Sequence, residues 1–126
     1  MAEQDDYTRG MELRRSMWGA AGAERVEQAT AFNRPCEDQV TAWLFGDVWQ
    51  REGLDRKTRS MITLAALTAL TKPNQLKVHV QGALANGVSV EEIREIIMHT
   101  AVYAGIPTGG EAMAAANEVL AAQGLD

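Results

Sequence analysis

A chain of 126 residues has the size of one domain, so one domain over residues 1–126 is expected, with no room for a second catalytic or regulatory one. Such a length buries roughly two-thirds of the unfolded surface, enough for a core without disulfides or structural metal. The net charge of -5 argues against nucleic acid or anionic lipid as partner, and the single cysteine, Cys36, excludes an intramolecular disulfide and a Cys-rich zinc site.

The polar start, MAEQDDYTRGMELRR, has no apolar signal core, and the apolar run from Met61 to Leu70 is too short to span a bilayer. A soluble, unprocessed protein of the reducing cytoplasm, with no membrane partner, is expected. Few aromatics, many Ala and Leu, and apolar positions at helical spacing predict an all-α fold of five or six helices.

The spacing of Tyr7, Met11, Leu13, Met17 and Trp18 predicts a first helix from Asp5 to about Trp18, ended by the segment Gly19 to Gly22. A brief turn or helix over Val26 to Phe32 precedes Asn33-Arg34-Pro35, whose proline suits a helix start. The stripe Val40, Trp43, Leu44, Val48 then carries a second helix to Arg51. Cys36, at its start, reads as an inert buried thiol.

Asp55 is a candidate N-cap for a helix over Arg56 to Thr71, apolar nearly all round and therefore expected to be central and buried. Lys72-Pro73 breaks it, and Pro73 to Asn86 follows, with Leu76, Val80, Ala83 and Leu84 on one face and Gly87 as left-handed terminator. Ser89-Val-Glu-Glu92 is a capping box opening the next helix, which Gly105 and Pro107 close. An Ala-rich last helix runs from about Thr108 to Gln123. That helix and the Trp43, Phe45, Trp49 segment carry more apolar surface than one small bundle buries, which predicts a homo-oligomer.

Each of the two histidines lies beside its helix's apolar stripe. At 100° per residue His79 sits about 60° off Leu76, with Gln75 one turn earlier on the same flank. Glu92, His99 and Tyr103 form a comparable row beside Ile93, Ile96 and Ile97. Boundary rows of this kind suit a cleft, and the two can face each other across a helix pair. No HxxxH or HExxH spacing points to a metal, and Gly105-Ile-Pro-Thr-Gly-Gly110 matches neither a dinucleotide nor a phosphate loop.

The run Gly53-Leu-Asp-Arg-Lys-Thr-Arg-Ser60, then Leu76-Lys-Val-His79-Val-Gln-Gly-Ala-Leu-Ala-Asn-Gly-Val88, then Glu92-Ile-Arg-Glu-Ile-Ile and Tyr103-Ala-Gly-Ile-Pro107, resembles the carboxymuconolactone decarboxylase family over nearly the whole chain. Gly10-Met-Glu-Leu-Arg-Arg15 and Phe45-Gly-Asp-Val-Trp49 resemble the 4-carboxymuconolactone decarboxylase subgroup in particular. The resemblance implies a helical bundle of the alkylhydroperoxidase type, assembled as a trimer or hexamer. The family's peroxidase branch has a CxxC pair whose positions fall here on Lys72 and Gln75, so thiol peroxidase activity is not expected.

In the decarboxylase branch the resemblance places the catalytic histidine at His79 and usually a glutamate four residues before it, where this chain has Gln75. An amide can orient an imidazole or a substrate but cannot ionise. The implied activity is cofactor-independent and metal-independent loss of CO2 from a carboxylated γ-lactone, giving an enol-lactone, in aromatic catabolism. His79 would be general acid/base, Arg59 would clamp the substrate carboxylate, and His99 or Tyr103 would donate to the lactone oxygen. The small anionic substrate would need Arg59 to reverse the acidic field locally. Two other readings stand beside it: a family relative with altered chemistry (hydrolase, isomerase or biosynthetic enzyme), and a catalytically silent oligomeric binding protein.

Overall fold

The structure is a computed structural model that describes residues 2–126, with side chains from residue 5 onward. Among the described residues it is all-α, with seven α-helices and no strand. The chain divides into two compact units, Met1–Arg56 and Lys57–Asp126.

In the first unit, α1 spans Ala2–Trp18 and α2 spans Ala20–Glu27. The break between them is Gly19 alone, at φ 64°. Gly22 does not end a helix: it lies inside α2, because a Cβ there would come within 2.2 Å of the Arg14 carbonyl oxygen. α2 thus occupies the segment expected to be a break, while residues 28–33 are turn and loop, the turn alternative expected over Val26 to Phe32; α2 accounts for part of the excess over five or six helices. Next, α3 (Arg34–Gln39) passes into a π-helical segment, Val40–Phe45, and a 3-10 turn, Val48–Gln50.

Leu13, Met17, Phe45 and Trp49 form the apolar centre of this unit. Arg14 is buried beside it: Nε donates to the Gly22 carbonyl at 2.9 Å, a terminal nitrogen lies 3.5 Å from Glu37, and the guanidinium sits 5.4 Å from the Phe45 ring centroid. A buried cation is tolerated when its charge and donors are matched in this way. Cys36, expected to be buried, is exposed, because α3 buries none of its residues.

In the second unit, α4 spans Arg56–Ala69 and α5 spans Pro73–Ala85, joined by a three-residue link in which Thr71 takes a left-handed φ of 56°. After them come α6 (Val90–Ala104) and α7 (Ile106–Ala122). The core collects Leu64 from α4, Leu76, Val80 and Ala83 from α5, Ile93 and Ile97 from α6, and Ala112, Ala116 and Leu120 from α7. Gly109 brings α7 close to α6, since a Cβ there would meet the Ala101 Cβ at 2.4 Å.

The end of α5 is a Schellman motif: the Val88 amide donates to the Ala83 carbonyl, the Gly87 amide donates to Leu84, and Gly87 takes φ 91°. At the start of α6 the capping box forms as expected, with the Glu92 amide donating to Ser89 Oγ and the Ser89 amide to Glu92 Oε1. Ser89→Ala is expected to lower the unfolding free energy by about 1 kcal/mol, read by urea denaturation.

Two expectations about burial need correction. α4 is not enclosed all round: Ser60, Leu64 and Thr68 are buried, but Ile62 is exposed, as is Leu70 just past its end. The apolar excess is only partly where it was expected. Trp43 is 58% exposed, but Phe45 and Trp49 are buried and α7 buries Ala112, Ala115, Ala116, Val119 and Leu120, while the exposed large side chains of the second unit include Ile62, Leu70, Met98, Val102, Tyr103 and Ile106. No helix among the described residues is long and apolar enough to cross a membrane.

Candidate active site

Pro73 supplies the first turn of α5 without needing an amide partner, and the buried Leu76, Val80 and Ala83 fix which side of the helix faces the core. That orientation carries His79 to the edge of the core. Its side chain is mostly buried, its Nδ1 is sealed from solvent, and desolvation pushes its pKa down to about 4. At pH 7 the imidazole of the free protein is therefore neutral. Gln75, one turn before, is exposed.

Arg59 lies in the first turns of α4, partly buried, with its Nε sealed from solvent. Its carbonyl accepts from Thr63 Oγ1 at 2.8 Å. Two links tie this part of α4 to its neighbours. Asn86 Nδ2, just past the end of α5, donates to the buried Ser60 Oγ at 3.0 Å, and Lys57 Nζ lies 3.1 Å from the Glu92 carboxylate of the α6 capping box. The Ser89 amide and Lys57 hold the Glu92 carboxyl below its ordinary range.

A cleft of about 910 Å³ opens between α4 and α6. Its walls include Met61, Ile62 and Ile96, with Glu92, His99 and Thr100 supplying polar groups. The volume suits a small molecule. His99 is exposed in the cleft, and its ring lies 5.3 Å from that of Tyr103, which is 81% exposed. Of the five candidate side chains, His99 alone lines this cleft; His79, Gln75, Arg59 and Tyr103 do not. The cleft is thus lined by Glu92 and His99 of the second row and by neither His79 nor Gln75 of the first. No group of three or more His, Cys, Asp or Glu side chains among the described residues is placed to hold a metal.

The boundary position read for His79 from its flank agrees with its partial burial, but the Asn86–Ser60 and Lys57–Glu92 links escaped sequence reasoning. Asn86 carried a local signal as the residue before Gly87; Ser60 carried none.

Comparison with known proteins bears on the same residues. The chain is 35% identical, over 99% of its length and 94% of the relative's, to a protein of Acinetobacter baylyi named 4-carboxymuconolactone decarboxylase. It is 42% identical, over 85% of its length and 76% of the relative's, to nitrosuccinic acid decarboxylase npaB of Metarhizium robertsii. Residues 36–118 match the carboxymuconolactone decarboxylase family, a span that takes in every candidate side chain on α4, α5 and α6. With that match and 35% identity over nearly the full length of a protein bearing the family's name, the chain belongs to the carboxymuconolactone decarboxylase family.

Proposed function

We propose that the protein is a cofactor-independent carboxy-lyase of the cytoplasm that removes CO2 from 4-carboxymuconolactone or a close γ-lactone acid, giving an enol-lactone in aromatic catabolism. The observation that carries this reading is the family match joined to 35% identity over nearly the full length of a relative named for that decarboxylation.

When the ring carboxylate leaves as CO2, its bonding pair delocalises through the ring alkene to the lactone carbonyl as a dienolate. The site must stabilise that oxyanion and return a proton to carbon. Donors aimed at the developing charge supply the largest share of such catalysis, and a positioned acid adds about 10² to 10⁴-fold. In this reading His79 delivers the proton, Arg59 holds a substrate carboxylate, Gln75 orients, and His99 or Tyr103 donates to the lactone oxygen. An anionic substrate close to His79 favours imidazolium, so substrate binding brings in the proton that the neutral imidazole lacks.

A trimer or hexamer would cover the exposed Ile62, Leu70, Met98 and Val102. The positions of the peroxidase thiol pair hold Lys72 and Gln75, which supports a decarboxylase and not a thiol peroxidase.

A second substrate is favoured by the relative named for nitrosuccinic acid and by the amide at Gln75. Loss of CO2 from the carbon bearing a nitro group leaves the electron pair on that group as a nitronate, which needs the same proton return from His79. The test measures CO2 release from 4-carboxymuconolactone and from nitrosuccinate. Turnover of one or both is expected, and Gln75→Glu is expected to shift kcat/KM about tenfold toward the lactone by restoring an ionisable group. CO2 release no faster than in buffer, from both acids, would overturn the reading.

A further inference from the structure

Ser60 and Asn86 occupy an unusual place in the hairpin of α4 and α5. The three-residue link turns the chain back, so that Ser60 near the start of α4 meets Asn86 just past the end of α5. Ser60 is 2% exposed, and Asn86 is partly buried. Their bond of 3.0 Å joins the two helices at the hairpin's open end, 26 residues apart in sequence. Close-packed side chains already resist a slide, and this hydrogen bond adds at the open end a fixed distance and angle that apolar contacts lack.

The two groups given roles under the proposed function stand on either side of this bond. Arg59 immediately precedes Ser60 on α4. His79 lies two helical turns, about 10 Å, before Asn86 on α5. A slide of α4 by one residue would move Arg59 by about 1.5 Å along the axis relative to His79. A displacement of that order costs an oriented reaction up to about a hundredfold.

The geometry points to Ser60 and Asn86 as a positioning pair, which sets the register of α4 on α5 and so the distance between the carboxylate clamp Arg59 and the proton donor His79. This rests on the decarboxylase reading. Neither residue touches the substrate in it. The Lys57–Glu92 ion pair holds the same turn of α4 toward α6, but both partners are well exposed and such pairs contribute little fixed geometry.

The experiment uses the full chain and whichever of 4-carboxymuconolactone and nitrosuccinate it decarboxylates faster. Ser60→Ala removes the acceptor at a buried position with minimal change of volume, and Asn86→Leu removes the donor at similar size. Each is expected to lower kcat/KM about tenfold or more while the helical circular-dichroism signal is retained. In an Arg59→Ala background each is expected to lower it less than about twofold, because the group being positioned is gone. Asn86→Asp, whose carboxylate accepts from the Ser60 hydroxyl, is expected to recover most of the loss.

If Arg59→Ala reduces kcat/KM but Ser60→Ala and Asn86→Leu do not, the positioning role is overturned and the decarboxylase reading stands. Equal losses with and without Arg59 overturn it as well, since they mark general destabilisation. If Arg59→Ala is itself silent, the positioning role falls while the decarboxylase reading stands; if the wild type turns over neither acid, both fall.

Discussion

His79→Ala is expected to lower kcat for decarboxylation about 10² to 10⁴-fold, the range for loss of a positioned proton-transfer group. The side chain sits at the edge of the α5 core face, so its removal opens little of the interior formed by Leu76, Val80 and Ala83, and the helical circular-dichroism signal should persist. Unchanged CO2 release would remove His79 from the mechanism. The pH dependence gives a second, independent check. Burial holds the free imidazole at a pKa of about 4, so above pH 5 only a minority of free protein carries the imidazolium.

If the reaction consumes that proton, kcat/KM, which reports the free enzyme, falls about tenfold per pH unit from pH 5 to 7. The kcat profile stays flatter over the same range. A substrate carboxylate about 4 Å from the ring is worth about 4 kcal/mol at an effective dielectric near 20, which offsets the desolvation and keeps the imidazolium in the complex. The sign is diagnostic. A kcat/KM that rises with pH would mean that the neutral imidazole acts as a base, and the proton would have to come from elsewhere.

The same residue shows how far local sequence carries. Its flank position follows from the period of Leu76, Val80 and Ala83, and the boundaries of α5 and α6 follow from Pro73, Gly87 and the Ser89–Glu92 box, all of which act within a few residues of the chain. What the period does not carry is what covers each face. α4 reads as buried all round, yet Ile62 and Leu70 lie exposed in the single chain, because an apolar pattern records that a face avoids water and not which partner covers it. That the cleft is lined by His99 and not by His79 has the same origin: each row is local, and their mutual placement is tertiary. Gly22 misleads for a related reason. A glycine that permits close approach and a glycine that ends a helix are the same letter, and only the nearby Arg14 carbonyl tells them apart.

That distinction predicts opposite outcomes for one substitution made at two helical glycines. Gly110, inside α7, has nothing within 4 Å of a Cβ, so Gly110→Ala is expected to stabilise by about 1 kcal/mol through the lower backbone entropy of the unfolded chain. Gly10, inside α1, carries the same propensity gain, but its Cβ would stand 1.9 Å from the Thr41 carbonyl oxygen and 2.8 Å from the carbonyl carbon. Gly46 makes the reciprocal approach to Asp6, so α1 and the π-helical segment touch backbone to backbone at both positions. No side chain can yield there, because the obstructing atoms are main chain. Relief requires the helices to separate by about 1 Å or more, which loosens Leu13 and Met17 against Phe45 and Trp49. Gly10→Ala is accordingly expected to destabilise the first unit by about 3 kcal/mol despite its better helix propensity. Trp18, Trp43 and Trp49 all lie in that unit, so tryptophan fluorescence during urea denaturation follows it directly. A fluorescence midpoint unchanged or raised by Gly10→Ala would show that the backbone crossing is not as close as 1.9 Å implies.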